Sequence, residues 1–238
     1  MHAIILAAGL GKRIPKYSSQ RPKAMLKING KSIIQHQIEL FNKHGIKDIA
    51  VVVGYKHGLL RKALKPWKIN YVFNPFYEST NNLGSFWFAL NQQHTDFILA
   101  NGDTIFEEEI LARLIKMPGH VVLPVDRKKC GEEEMKVKLK KGYIVEINKT
   151  MPPPSAYGEF IGIAKFNGKG VTGIKSVAHQ IMENKEFNTF YELAIQRFID
   201  QNLTKVKPVD ITGLRWNEID FEEDYVKAKK LFSSKRKN

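Results

Sequence analysis

The segment Leu6-Ala7-Ala8-Gly9-Leu10-Gly11-Lys12-Arg13, followed by Pro22-Lys23, carries the residue types that handle polyphosphate. Glycines let a backbone approach a phosphate closely and turn its N–H groups toward it. Arg13 and Lys23 add the positive charge that a triphosphate needs. The spacing departs from two well-known phosphate loops. A third glycine is missing for the dinucleotide fingerprint, and no Gly-Lys-Ser/Thr follows for a Walker loop. Gly-x-Gly alone is equally an ordinary strand–loop turn. Gly-x-Gly-x-Arg with a later Pro-Lys is far more specific. Asp103, in Leu99-Ala100-Asn101-Gly102-Asp103, sits just beyond an apolar run, where ligands of open α/β sheets bind. A carboxylate there suits Mg²⁺, although a turn residue or helix N-cap has the same signature. Asp220, in Trp216-Asn217-Glu218-Ile219-Asp220, reads alone as a helix-capping acid and, paired with Asp103, as a second metal carboxylate.

These groups need elements to position them. Apolar runs predict buried strands at Ala3–Ala8, Asp48–Gly54, Ile69–Asn74, Phe97–Ala100 and His120–Val125. Helical spacing predicts helices at Ser32–His44, capped by Gly45, and at Gly58–Leu64, Leu83–Leu90 and Glu107–Met117. The alternation argues for a mostly parallel sheet with helices on both faces. After residue 125 the pattern changes. Lys136–Leu139 and Tyr143–Ile147 flank Lys140-Lys141-Gly142 as a hairpin, and Pro152-Pro153-Pro154 is a rigid loop. Phe160–Phe166 and Val206–Asp210 read as strands; Lys175–Asn184, Thr189–Asp200 and Glu222–Phe232 read as helices. One continuous domain, 1–238, is expected. Its parts are a nucleotide half (1–125), an acceptor half (126–220), and a C-terminal helix with a basic tail (221–238).

Composition narrows the partners. The chain has 238 residues, 43% of them hydrophobic, which excludes a disordered polyelectrolyte. A single cysteine, Cys130, excludes a disulfide scaffold and a cysteine-held metal cluster, and fits a reducing cytoplasm. No apolar run reaches spanning length and no leader pattern opens the chain, so membrane insertion is not expected. The net charge of +14 suggests a polyanionic partner. No nucleic-acid-binding motif accompanies it, and part of the excess is a basic tail beginning at Lys227.

Leu6–Arg13 with Pro22-Lys23 resembles the signature of nucleotidyltransferases that join NTPs to phosphorylated acceptors. The family includes sugar-1-phosphate nucleotidylyltransferases; the phosphocholine, inositol-phosphate and aminoethylphosphonate cytidylyltransferases are closer here. Asn101-Gly102-Asp103 resembles its metal-aspartate motif, and Asn217-Glu218-Ile219-Asp220 its late motif with the second metal aspartate. Glu146-Ile147-Asn148-Lys149 resembles the acceptor-side lysine segment, and Gly158-Glu159-Phe160-Ile161-Gly162 the strand contacting the acceptor. Asn74-Pro75-Phe76-Tyr77 through Asn81-Asn82-Leu83-Gly84-Ser85 resembles the loop for base and acceptor. Lys12 departs from the family's frequent Ser or Thr.

The resemblance implies a Rossmann-like, GT-A-like three-layer α/β/α sandwich with a small β-hairpin insertion on the acceptor side. It implies Mg²⁺-dependent transfer from CTP to a small phosphorylated or phosphonate acceptor, in a cytoplasmic monomer or homodimer. Such activated head groups feed surface polysaccharide, lipid or phosphonate decoration. Lys23 would meet the α-phosphate, and Arg13 with the Gly9–Gly11 amides the β- and γ-phosphates. Ala8, Gly9, Gly54, Asn81, Asn82 and Ser85 would line the base pocket, although Asn81-Asn82 equally reads as a helix N-cap pair. Lys149 would face the acceptor phosphate. For the acceptor head, the aromatic candidates are Tyr77, Phe86, Trp87, Tyr157, Tyr191 and Trp216; the acidic ones are Asp126, Glu159 and Glu192. A sugar-1-phosphate uridylyl-, thymidylyl- or guanylyltransferase and a non-catalytic nucleotide- or nucleic-acid-binding protein are the alternatives.

Overall fold

A computed structural model of the chain describes residues 1–92 and 95–233. Residues 234–238, the end of the basic tail, lie outside it. The first half runs β1 (His2–Ala7), α1 (Pro15–Ser18), β2 (Lys27–Ile28), β3 (Lys31–Ser32), α2 (Ile33–Lys43), β4 (Ile49–Val53), α3 (His57–Ala63) and β5 (Ile69–Phe73). It continues with α4 (Asn82–Leu90), β6 (Phe97–Asn101), β7 (Thr104–Phe106), α5 (Glu108–Lys116) and β8 (Val121–Asp126). The second half holds β9 (Lys136–Lys140), β10 (Tyr143–Asn148), β11 (Gly158–Phe160), β12 (Ile163–Phe166), α6 (Lys169–Glu183) and α7 (Tyr191–Asp200). It ends with β13 (Val206–Asp210), β14 (Trp216–Glu218) and α8 (Glu222–Ser233).

Ten strands form one sheet in the order β11-β9-β10-β13-β8-β12-β6-β1-β4-β5. The strands β5, β4, β1 and β6 are parallel neighbours, as βαβ crossovers require. β12 is antiparallel to both β6 and β8, and β13 runs parallel to β8. Along this ladder only β12, β10 and β11 run against the common sense. A further β11–β8 pairing closes β8, β13, β10, β9 and β11 into a ring. The expected hairpin β9–β10 is part of that ring.

Strand side chains alternate between faces, so each strand feeds two cores. Ile4, Val52 and Leu99 pack on one face with α4, α6 and α7, through Phe86, Ile174 and Phe198. Ala3, Ile5, Val51, Val53 and Ile98 face the other way, against Ile38 and Phe41 of α2, Leu60 of α3 and Leu111 of α5. Two covered faces make three layers.

Two boundaries differ from expectation by more than a residue or two. The predicted strand Phe160–Phe166 is two strands, β11 and β12, broken at Gly162. Gly162 has φ +76°, and an added Cβ would lie 2.5 Å from Asn101 Nδ2. The backbone must turn there so that the Asn101 N–H can donate to Gly162 O at 2.9 Å. Helix α6 starts at Lys169, six residues before the predicted Lys175. Gly170 and Gly173 weaken its helical pattern, but they let it lie close to the His120 carbonyl and the Phe198 ring.

Candidate active site

The C-terminal ends of β1 and β6 open into a cleft of about 360 Å³. Its floor is the glycine loop. Gly11 takes φ +65°, and an added Cβ would meet Ser18 Cβ at 2.9 Å, so glycine is the residue that fits. Ser18 locks the loop, its hydroxyl lying 2.6 Å from Gly11 O and 2.9 Å from Ile14 O and sharing its one proton between them. Its short helix α1, missed in the sequence, is started by Pro15. Beside the loop, the Gly102 N–H donates to Leu6 O at 2.9 Å and ties the two strand ends together.

The acidic part is built by a ribbon that the sequence reading also missed. β7 pairs antiparallel with β14, placing Thr104 opposite Glu218. The Ile219 N–H donates to Asp103 O at 3.1 Å, so Asp103 and Asp220 face each other across the ribbon's end. Carboxylate oxygens of Asp103, Glu218 and Asp220 all lie within 4.8 Å of one another. Asp220 does not cap α8. Asp224, in the first turn of α8, instead reaches back and accepts from the Asp220 and Phe221 amides at 3.0 and 2.8 Å. The Asp220 side chain is thereby free for cations.

Lys23 provides one. Its ammonium lies 2.7 Å from Asp103 Oδ2 and 2.8 Å from Asp220 Oδ1, with the side chain only 12% exposed. Arg13 reaches Asp220 Oδ2 at 3.0 Å. Burial opposes the Lys23 charge, but Asp103 and Asp220 outweigh it and hold its pKa above the ordinary lysine value. Asp220 is held below the usual carboxylate range by Lys23 and then Arg13, against its own burial. Burial first, then the neighbouring Asp103 and Asp220, push Glu218 well above that range.

Of the expected nucleotide residues, Leu6, Ala7, Ala8, Gly9, Gly11, Lys12, Arg13, Lys23, Asn81, Asn82, Ser85, Asn101 and Gly102 line this one cleft. Gly54 lies behind the wall, where an added Cβ would come 2.6 Å from Tyr77 Cγ. Asn81 is also the N-cap of α4, accepting from the Asn82 amide at 2.8 Å, so the helix-cap reading of it describes its geometry. Asn74 donates to Ser85 Oγ at 3.0 Å and fixes that hydroxyl in the wall. Glu218, Glu78, Thr80, Asn188 and Phe190 also line the cleft and were not foreseen. Only the acid spacing of Glu218 and Asp220 offered a sequence signal for Glu218.

The acceptor candidates scatter. Tyr77 lines the cleft. Lys149 stands beside it, with its ammonium 5.6 Å from the Phe190 ring centre. Phe86 and Tyr191 are fully buried in the core, and Trp87 stacks on His179, so none of the three forms an aromatic cage here. Asp126 accepts from Trp216 Nε1 at 3.0 Å, and Glu159 pairs with Lys128 at 2.6 Å. Asp126, Glu159, Trp216 and Tyr157 therefore do not line this cleft; Tyr157 borders a separate groove with Arg127 and Cys130.

Glu192 is buried behind the cleft, with its Oε2 among the unpartnered buried oxygens of the described residues. Burial pushes its pKa up to about 7, against a smaller opposing pull from Lys149. A carboxyl with a raised folded pKa stabilises the fold below its unfolded pKa and loses that contribution as pH rises through about 7. Glu192→Gln is expected to match the wild type near pH 4 and to be more stable by about 3 kcal/mol above pH 8. Chemical denaturation across that range checks it; a constant difference would refute the assignment.

No helix among the described residues is long and apolar enough to cross a membrane. The comparisons with known proteins agree with the geometry. Two solved structures share the fold. The CTP:phosphocholine cytidylyltransferase of Streptococcus pneumoniae superposes with TM-score 0.81 at 22% identity, covering 97% of this chain and 98% of that one. The inositol-1-phosphate CTP transferase of T. maritima gives 0.79 at 23% identity, covering 97% and 95%. CTP:phosphoglutamine cytidylyltransferase of Campylobacter jejuni is 29% identical over 94% of this chain and 97% of its own length. Choline-phosphate cytidylyltransferase of Streptococcus pneumoniae is 33% identical over 45% of this chain and 47% of its own. Residues 3–146, which include the glycine loop and Asp103, match the model of the MobA-like NTP transferase domain, and the chain belongs to that family.

Proposed function

We propose that this chain transfers a cytidylyl group from CTP to a small phosphorylated or phosphonate acceptor. One observation carries the reading: a single cleft joins a glycine loop, the cations Lys12, Arg13 and Lys23, and the converging carboxyl groups of Asp103, Glu218 and Asp220. An acceptor phosphate oxygen attacks the α-phosphorus, a P–O bond forms, and the bond to the β-phosphate oxygen breaks to release pyrophosphate. The acceptor is already an anion, so no general base is needed. The chain must bring two polyanions together and stabilise the crowded charge.

Lys23 is the residue for the α-phosphate, and Arg13 with the Gly9–Gly11 amides serves the β- and γ-phosphates. Lys12, exposed in the same loop, adds charge where a hydroxyl contact would otherwise stand. Asn81, Asn82 and Ser85 face the base, and an Asn amide both donates and accepts, as a cytosine edge requires. Lys149, Tyr77 and Glu192 border the acceptor side.

The carboxylate set fits a hard divalent cation such as Mg²⁺. Its donors are all oxygens, they converge within 4.8 Å, and they already hold an ammonium. Asp103, Asp220 and Glu218 would hold the ion, which supplies charge neutralisation at the phosphates. We read 1–238 as one transferase unit, since β6 of the nucleotide half and β8 are joined through β12 of the acceptor half, and its single cysteine suits a reducing cytoplasm.

Base choice is tested by a thermal-shift panel of CTP, UTP, dTTP, GTP and ATP with Mg²⁺. CTP is expected to raise the melting temperature most. A larger shift with UTP or dTTP would replace the cytidylyl reading with a sugar-phosphate uridylyl- or thymidylyltransferase.

A further inference from the structure

The acidic cluster is not merely lined by Lys23; it is bridged by it. The ammonium sits 2.7 Å from Asp103 Oδ2 and 2.8 Å from Asp220 Oδ1, and so joins the two carboxylates that the proposed function assigns to a divalent ion. The second oxygen of Asp220 is taken by Arg13 at 3.0 Å. The two cations are not equivalent. Lys23 spans both aspartates and is 12% exposed, whereas Arg13 touches Asp220 alone and is 47% exposed.

A divalent ion bound to carboxylates sits about 2 to 2.5 Å from their oxygens. An ion shared by Asp103 and Asp220 would therefore lie against the position that the ammonium holds. Two such cations repel strongly at that separation in a partly buried site. The same lysine is the group assigned to the α-phosphate. It has two anionic partners available, and the divalent ion competes for one of them.

We propose that Lys23 is an exchangeable counter-ion: it neutralises and spaces Asp103 and Asp220 in the metal-free protein, and moves to the nucleotide phosphate when a divalent cation takes the carboxylates. This rests on the cytidylyltransferase reading. Metal and nucleotide then bind with positive coupling, because each relieves the cost of the other. Metal alone must expel the ammonium into solvent. Nucleotide with metal gives it a phosphate. Lys23 thus acts as a positioning residue toward the metal site in addition to its phosphate role.

The test is equilibrium binding of Mn²⁺ alone to the full chain, read by the loss of free-ion EPR signal. Lys23→Met is expected to bind Mn²⁺ about tenfold more tightly than the wild type. Lys23→Arg, which keeps a cation, should stay within about threefold of the wild type. Arg13→Met removes the same charge beside Asp220 without opening the bridge, and should gain clearly less than Lys23→Met. Equal gains from Arg13→Met and Lys23→Met would reduce the effect to charge at a distance and overturn the proposal. Unchanged or weaker binding by Lys23→Met, with a circular dichroism spectrum like the wild type's, would overturn it too. Should Lys23→Met not fold, Lys23→Gln is measured in its place under the same criteria. Wild-type pyrophosphate release from CTP, followed in parallel, reports separately on the underlying reading: turnover with no Mn²⁺ difference sinks only the counter-ion role.

Discussion

Asp103→Asn gives a folded protein whose pyrophosphate release falls by about 10³-fold or more. The amide keeps the size of the carboxyl and can still accept from Lys23, so the local shape survives. What it loses is charge, at the acid that the ribbon β7–β14 sets beside Asp220, with Asp103 O accepting from the Ile219 N–H. The stability cost is small for a specific reason. Asp103 repels Glu218 as well as attracting Lys23, and losing it removes both effects. Melting temperature is expected to shift by only a few degrees, equivalent to about 1 kcal/mol in either direction. Turnover near the wild-type rate would remove Asp103 from the catalytic centre.

Lys23→Ala has the second large effect, and it divides into an activity loss and a stability loss. Turnover falls by about 10²- to 10³-fold, as the role proposed for Lys23 at the reacting phosphate requires. Stability also falls at pH 7, because Asp103 and Asp220 then keep Arg13 alone as a close cation. Removing one partner of such a pair costs about 2 to 4 kcal/mol at this partial exposure. The pH dependence gives the sign. Lys23 has a raised folded pKa, so its contribution is present below the ordinary lysine value and is lost above it. Asp220 has a depressed folded pKa, so the pair's contribution also disappears as pH falls through the carboxylate range. The gap between wild type and Lys23→Ala should therefore narrow from pH 7 to pH 3. Denaturant titrations at the two ends measure it, and a gap that widens in acid would contradict the ion-pair account.

The parts that were legible in the sequence are those where backbone chemistry leaves a local mark. Gly9, Gly11 and Arg13 follow a short apolar run, and Asp103 follows another, so their place at the ends of adjacent parallel strands could be read directly. The two-faced strands of the first half were legible for the same reason. Glu218 was not singled out, because its role depends on β14 pairing with β7 across the chain, and two three-residue strands carry no periodicity. The split at Gly162 was hidden inside an unbroken apolar run. The acceptor side was the least legible. An aromatic or acidic residue has the same letter whether it lines a cleft, as Tyr77 does, or fills a core, as Tyr191 and Phe86 do. Asp126 and Glu159 likewise went to Trp216 and Lys128, partners brought near by the β7–β14 ribbon in the first case and by the β11–β8 pairing in the second.

The measurement that bears most directly on the whole account is pyrophosphate release with Mg²⁺ and CTP across a panel of phosphorylated acceptors. The panel holds amine, amide, sugar and polyol phosphates and a phosphonate, with products identified by mass. The account predicts Mg²⁺-dependent release with at least one acceptor, a CDP- or CMP-linked product of matching mass, and loss of both in Asp103→Asn. No release with any of the five nucleoside triphosphates, or equal release from wild type and Asp103→Asn, would contradict it.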